Sequence, residues 1–153
     1  MTVQKTEPDA HGRHWVTVTR AEASSHPKGR PGPFEVLIAI WLMAFGALDL
    51  VGRFYGGIIG FGVIWPILFI LTSVGLILRL PIAWVISFLC CIRVLWAFVF
   101  GGYGFEGPLG LFFLGNAVVA VAAAFYMLEG ERPNLIYRLR YRSYRAEAEV
   151  ADK

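Results

Sequence analysis

Asp49, Arg93 and Asn116 are the strongly polar side chains that lie well inside the long apolar stretches of this 153-residue chain. An acid, a base and an amide in such surroundings can form a charge pair, a proton or ion site, or the polar lining of a cavity for a head group. Asp49 and Arg93 supply opposite charges, and Asn116 can bond to either. A different solution is also open to the sequence. Asp49 precedes Arg53 by four residues, which sets the two on one helix face with the acid N-terminal. Arg93 is seven residues from Phe100, so its long side chain can extend along apolar surface toward the nearer interface. A third solution is contact of these groups with another subunit.

Other chemistries find weaker support. His11 and His14 have a spacing used by metal ligands, but a pair in a polar tail lacks the further ligands of a closed site. Histidines are absent from the apolar stretches, which excludes a haem held by two such residues there. Cys90 and Cys91 are adjacent and act most simply as small apolar residues. Neither a nucleophile with its base, nor a phosphate loop, nor a dinucleotide fingerprint stands at motif spacing. The expectation is therefore no catalytic residue, no cofactor and no metal.

The elements that must position the polar trio are Phe34–Gly52, Gly57–Leu78, Pro81–Phe100 and Pro108–Leu128. Each is roughly 20 residues long, enough at about 1.5 Å per residue to match a hydrocarbon core of about 30 Å. With 57% hydrophobic and 16% charged residues and a mean hydropathy of +0.60, the chain suits a bilayer rather than water. Backbone in lipid must satisfy its own hydrogen bonds, and stretches apolar on every face favour helices over the alternating strands of a barrel. The predicted fold is an all-α membrane protein with four transmembrane helices. Connections as short as Arg53–Gly56, Arg79–Leu80 and Gly101–Gly107 make an up-down-up-down bundle.

Basic residues set the expected orientation. With the N-terminus inside, both tails and Arg79 place their Lys and Arg on the inner face, and Arg53 alone falls outside. Both termini are then cytoplasmic, in a prokaryotic-type inner or plasma membrane. Residues 1–33 lack the apolar core of a cleavable signal, so the first stretch is expected to direct insertion. Depth counting puts Asp49 about 22 Å and Arg93 about 18 Å above the inner boundary, with Asn116 about 12 Å below the outer one. The three share a layer. Pro66 predicts a kink in the second stretch, and Gly56/Gly60, Ala83/Ser87 and Ala120/Ala124 predict close helix seams.

Three segments organise the chain: a largely irregular polar tail at 1–33, the membrane domain at 34–129 and a basic juxtamembrane tail at 130–153. Trp15–Thr19 alternates in polarity and reads as a short extended segment, suited to a partner's strand edge. A helix continued from Leu135 to Arg145 would group Arg138, Arg142 and Arg145 on one side with Leu135, Ile136 and Leu139 beside them. These arginines together with Arg140 and Trp15 are expected to contact anionic head groups or a partner. Arg and Tyr also interleave in RNA-binding segments, but beside a membrane no nucleic acid is expected. The expected function is a non-catalytic integral membrane subunit or scaffold that packs against other membrane protein subunits. The alternative is a small oligomeric transporter, channel or lipid- or quinone-cavity protein built on Asp49, Arg93 and Asn116.

Overall fold

In the computed structural model of the chain the described residues are 13–57, 60–101 and 107–144. Among these residues, four apolar α-helices and a 3₁₀ turn form a bundle, and short polar elements from both tails close one end of it. The chain begins with β1 (Arg13–Thr17) and the short α1 (Arg20–Ser25). Thr19 caps α1 reciprocally: its backbone N–H and hydroxyl donate to Glu22 Oε2 at 2.7 and 2.8 Å, and Glu22 N–H donates back to Thr19 Oγ1 at 3.3 Å. These bonds hold the Glu22 carboxyl below its usual range.

Helix α2 (Pro33–Tyr55) opens with Pro33 in its first turn, where a missing N–H costs nothing. It runs past the expected end at Gly52, and Arg53 falls in its last turn, where a cation meets the negative end of the helix dipole. The second apolar stretch departs furthest from expectation. Instead of one kinked helix, it forms a 3₁₀ turn at Phe61–Val63 followed by α3 (Ile64–Ile77). Pro66 sits in the first turn of α3, so its lost donor marks a helix start rather than an interior kink. Phe61–Ile77 is consequently shorter than its neighbours, and among the described residues the helices long and apolar enough to cross a membrane are three: α2, α4 (Pro81–Phe100) and α5 (Pro108–Glu129). Pro81 and Pro108 each open their helices, as their placement after Leu80 and Gly107 suggests.

Helix α2 packs on α3, α3 on α4, and α4 on α5. Two glycines permit the closest approaches. A Cβ on Gly46 would lie 2.8 Å from Phe69 Cβ and 2.9 Å from the Pro66 carbonyl oxygen, and one on Gly75 would lie 2.7 Å from Ala83 Cβ. Leu42, Phe69, Leu76, Cys90, Val94, Ala120 and Met127 form the buried core. Of the expected seams, Ala83, Ser87 and Ala120 are buried, whereas Gly56 and Gly60 are exposed and a Cβ on Gly60 would meet nothing. Ser73 Oγ ties α3 to α2 through the Ala39 carbonyl at 2.7 Å, and Trp84 Nε1 ties α4 to α5 through the Met127 carbonyl at 2.9 Å. Large apolar side chains such as Leu37, Ile40, Leu71, Val85, Val118 and Phe125 face outward, the pattern of a surface that meets lipid.

The C-terminal segment corrects two expectations. Helix α6 (Glu131–Arg138) ends at Arg138, because Leu139 takes a left-handed conformation at φ 51° and the chain continues as β2 (Arg140–Tyr144). Arg142 therefore lies in a strand, not on a helix face with Arg138; Arg145 lies outside the described residues. Strand β2 pairs antiparallel with β1, Trp15 opposite Arg142 and Thr17 opposite Arg140. The extended segment at Trp15 thus finds its partner strand within its own chain. Nor does α6 lie flat on a surface: Pro133 through Tyr137 are buried beneath the bundle.

Candidate functional site

The polar trio separates into different local solutions. Asp49 accepts from Arg53 Nε at 3.0 Å, the pairing within one helix that their spacing allows. Asn116 accepts from Trp41 Nε1 at 2.8 Å through its Oδ1 and returns its Nδ2 to the Phe112 carbonyl at 2.8 Å. It bridges α2 and α5 rather than joining the charges. Arg93 lies with its guanidinium carbon 5.7 Å from the centre of the Trp65 ring, a cation over an aromatic face. Among the described residues no carboxylate comes within 4 Å of Arg93.

Asp49 and Arg93 nevertheless border one space. A cavity of about 540 Å³ opens between α2, α4, α5 and the start of α3, with Asp49, Arg53, Trp65, Arg93, Leu109 and Phe112 in its wall. Its size falls within the range of small-molecule sites, and its wall is largely aromatic and aliphatic with a few charged groups, the usual composition of such sites. The contacts that hold it open are aromatic: Phe45 stacks on Phe112 with centroids 6.4 Å apart and packs against Phe69 at 5.1 Å. Helices α2 and α5 meet here through long side chains, not through close backbone, which leaves room between them.

A second polar network sits at the opposite end of the bundle and was not anticipated from sequence. Glu35 is only 1% exposed, yet it is fully engaged: the Gly32 N–H donates to Oε2 and the Tyr126 hydroxyl to Oε1, both at 2.8 Å. Asn134, 0% exposed, donates to the Leu128 and Gly130 carbonyls at 2.8 Å each and accepts from Arg138 Nη1 at 3.0 Å. The Leu128 carbonyl is one of the orphans at the end of α5, and the Gly130 carbonyl also accepts from the Asn134 backbone N–H at 3.2 Å, so Asn134 caps α5 from the next helix. The Tyr137 hydroxyl donates to the Leu76 carbonyl at 2.9 Å, linking α6 to the end of α3. Arg138 stacks over Trp84 at 4.8 Å, and Lys28 pairs with Glu131.

Electrostatics follow from this packing. Burial pushes the Tyr137 phenol well above its usual range, the negative charge of Glu35 adds to the shift, and Arg79 opposes it. Burial also lowers Arg138, with the charge of Arg140 contributing. Arg140 is exposed on β2, and Trp15 holds a central register position on β1. His11 lies outside the described residues, and among those that are described no group of three His, Cys, Asp or Glu gathers to hold a metal. Cys90 and Cys91 are buried free thiols.

The signal for Glu35 was present in Gly32-Pro33-Phe34-Glu35, a glycine cap, a first-turn proline and an acid three residues after the cap. Attention to the middle of each apolar stretch passes over it. Asn134 and Tyr137 carry no comparable signal, since their burial depends on α6 turning back under the bundle. Comparison of the chain with protein-family models, curated proteins and solved structures finds no match.

Proposed function

We propose that the chain is a non-catalytic integral membrane subunit or scaffold, with four passes formed by α2, Phe61–Ile77, α4 and α5 and with both tails on the cytoplasmic face. Three helices of sufficient length and apolarity support membrane insertion. At about 1.5 Å per residue, Phe61–Ile77 covers roughly 25 Å, and a modest local thinning of the bilayer accommodates the difference. The excess of Lys and Arg in the two tails supports the orientation.

One observation carries the subunit reading: the two tails are built into a single folded cap, not left as loose linkers. Strands β1 and β2 pair with each other, α6 is locked to the helix ends through Asn134 and Tyr137, and Glu35 ties the start of α2 to α5 through Tyr126. A two-stranded sheet beside a membrane offers backbone edges to a partner's strand, and exposed Arg140 offers charge to anionic lipid. Extraction in mild detergent followed by native mass measurement tests this: the expected species is a larger hetero-complex, and a lone monomer or homo-oligomer contradicts it. A second reading, a small transporter, channel or lipid- or quinone-cavity protein, draws support from the cavity bordered by Asp49 and Arg93.

A further inference from the structure

The cavity beside Arg93 has an unbalanced charge. Asp49 and Arg53 neutralise each other at 3.0 Å, which leaves the guanidinium of Arg93 in the wall without a compensating carboxylate among the described residues. Its contact is the Trp65 face, and none of its five N–H groups reaches an acceptor among the described residues. Arg93 stands seven residues from the end of α4, which is about 10 Å inside the helix terminus. An arginine at that depth is costly unless an anion or water completes it. The rest of the wall is apolar: Leu109, Phe112 and Trp65 continue from the charged end into the space between α2 and α5.

From this we infer that the cavity is a binding site for an acidic membrane lipid. Its phosphate-type head group takes the N–H donors of Arg93, and the upper part of one acyl chain lies along Phe112 and Leu109. A phosphate oxygen matches the planar guanidinium in two-point geometry, and the aromatic wall suits methylene groups. The cavity volume of about 540 Å³ holds a head group and a short length of chain but not a whole lipid, so the remainder of each chain lies in the bilayer. The site rests on the membrane placement proposed above and is independent of whether the chain acts alone or as a subunit. Alkaline carbonate washing tests that placement separately: release of the chain from membranes defeats the placement, whereas retention without lipid selectivity defeats the site alone.

The test is native mass spectrometry of protein purified in a neutral detergent and titrated with phosphatidylglycerol or phosphatidylcholine. The wild type is expected to retain phosphatidylglycerol about tenfold more strongly, the scale of one charge-assisted contact. Both lipids carry a phosphate, but the choline cation of phosphatidylcholine compensates it, so Arg93→Gln should lower phosphatidylglycerol retention more than phosphatidylcholine retention and abolish the preference, and Arg93→Lys should recover part of it. Gly52→Leu provides a variant of unchanged charge. Gly52 borders the cavity and a Cβ there meets nothing within 4 Å, so the added side chain is tolerated by the fold and takes up lipid space. It should reduce retention of phosphatidylglycerol even if Arg93→Gln fails to fold. Equal retention of the two lipids by the wild type, unchanged selectivity in a folded Arg93→Gln, or unchanged phosphatidylglycerol retention in Gly52→Leu, overturns the site. Displacement of the lipid by millimolar inorganic phosphate would show that the cavity reads a free anion, and overturns its assignment to a lipid.

Discussion

Removing one hydroxyl, by Tyr126→Phe, should loosen the junction between the start of α2 and the end of α5. Tyr126 donates to a glutamate that is 1% exposed, and Glu35 would be left with the Gly32 N–H as its other donor. A hydrogen bond to a charged group contributes roughly 1.5–3 kcal/mol, and a buried acceptor that loses its donor cannot turn to water. A cost of about 2 kcal/mol corresponds to a fall in melting temperature of roughly 4–8 °C for a chain of this size. The protein carries its own reporter: Cys90 and Cys91 are buried at 0% and 5% exposure, so a thiol-reactive dye labels them only on unfolding. Thermal ramps with such a dye in detergent should give that shift for Tyr126→Phe. Glu35→Leu with Tyr126→Phe together should cost less than the sum of the two single changes, because they share one interaction. A shift below about 1 °C for Tyr126→Phe, or strictly additive losses, would refute the proposed role of the pair.

Further outcomes follow from the same packing. Gly46→Ala should destabilise by about 1–3 kcal/mol through overpacking against Phe69 and the Pro66 carbonyl, while Gly52→Ala, with open space around it, should be near neutral; dye-labelled melting curves compare them. Asn134→Ala should cost about 1–3 kcal/mol, since the Leu128 carbonyl at the end of α5 loses its side-chain donor while Gly130 keeps only the backbone N–H of residue 134, and protease cleavage should rise first between α5 and β2. Burial raises the folded pKa of Tyr137 above its ordinary value of about 10, so the contact is intact at neutral pH and its stability falls as pH rises through that value and beyond. Melting followed by circular dichroism from neutral to alkaline pH should therefore show a decline that Tyr137→Phe lessens.

Hydropathy and proline placement made the helices legible: Pro81 and Pro108 open α4 and α5 where the sequence suggests. The same reasoning misread Pro66, because a proline inside a long apolar run signals either a kink or a new helix start, and only the packing of α3 on α2 through Gly46 decides between them. Depth counting put Asp49 and Arg93 in one layer, where the structure has both bordering one cavity, but it could not determine the partner of each. The pairing with Arg53 needs no tertiary contact, whereas the Arg93 contact with Trp65 depends on how α4 faces α3. The cap was the least legible part. Its strands are short and separated by more than a hundred residues, so neither tail alone carries the hydrophobic pattern that their pairing completes. Leu139 in the left-handed region, which ends α6, has no sequence signature, since glycine or asparagine normally fills such a position.

Whether both tails meet on one membrane face is the most direct measure of the account, because β1 and β2 can pair only there. Reporter fusions at the N-terminus, at the C-terminus and after Gly107, compared in intact cells, read this without purification. The expected result is both ends cytoplasmic and the Gly107 fusion on the opposite face, with Phe61–Ile77 crossing as the fourth pass. Ends on opposite faces would mean that Phe61–Ile77 does not cross, and would contradict the cap.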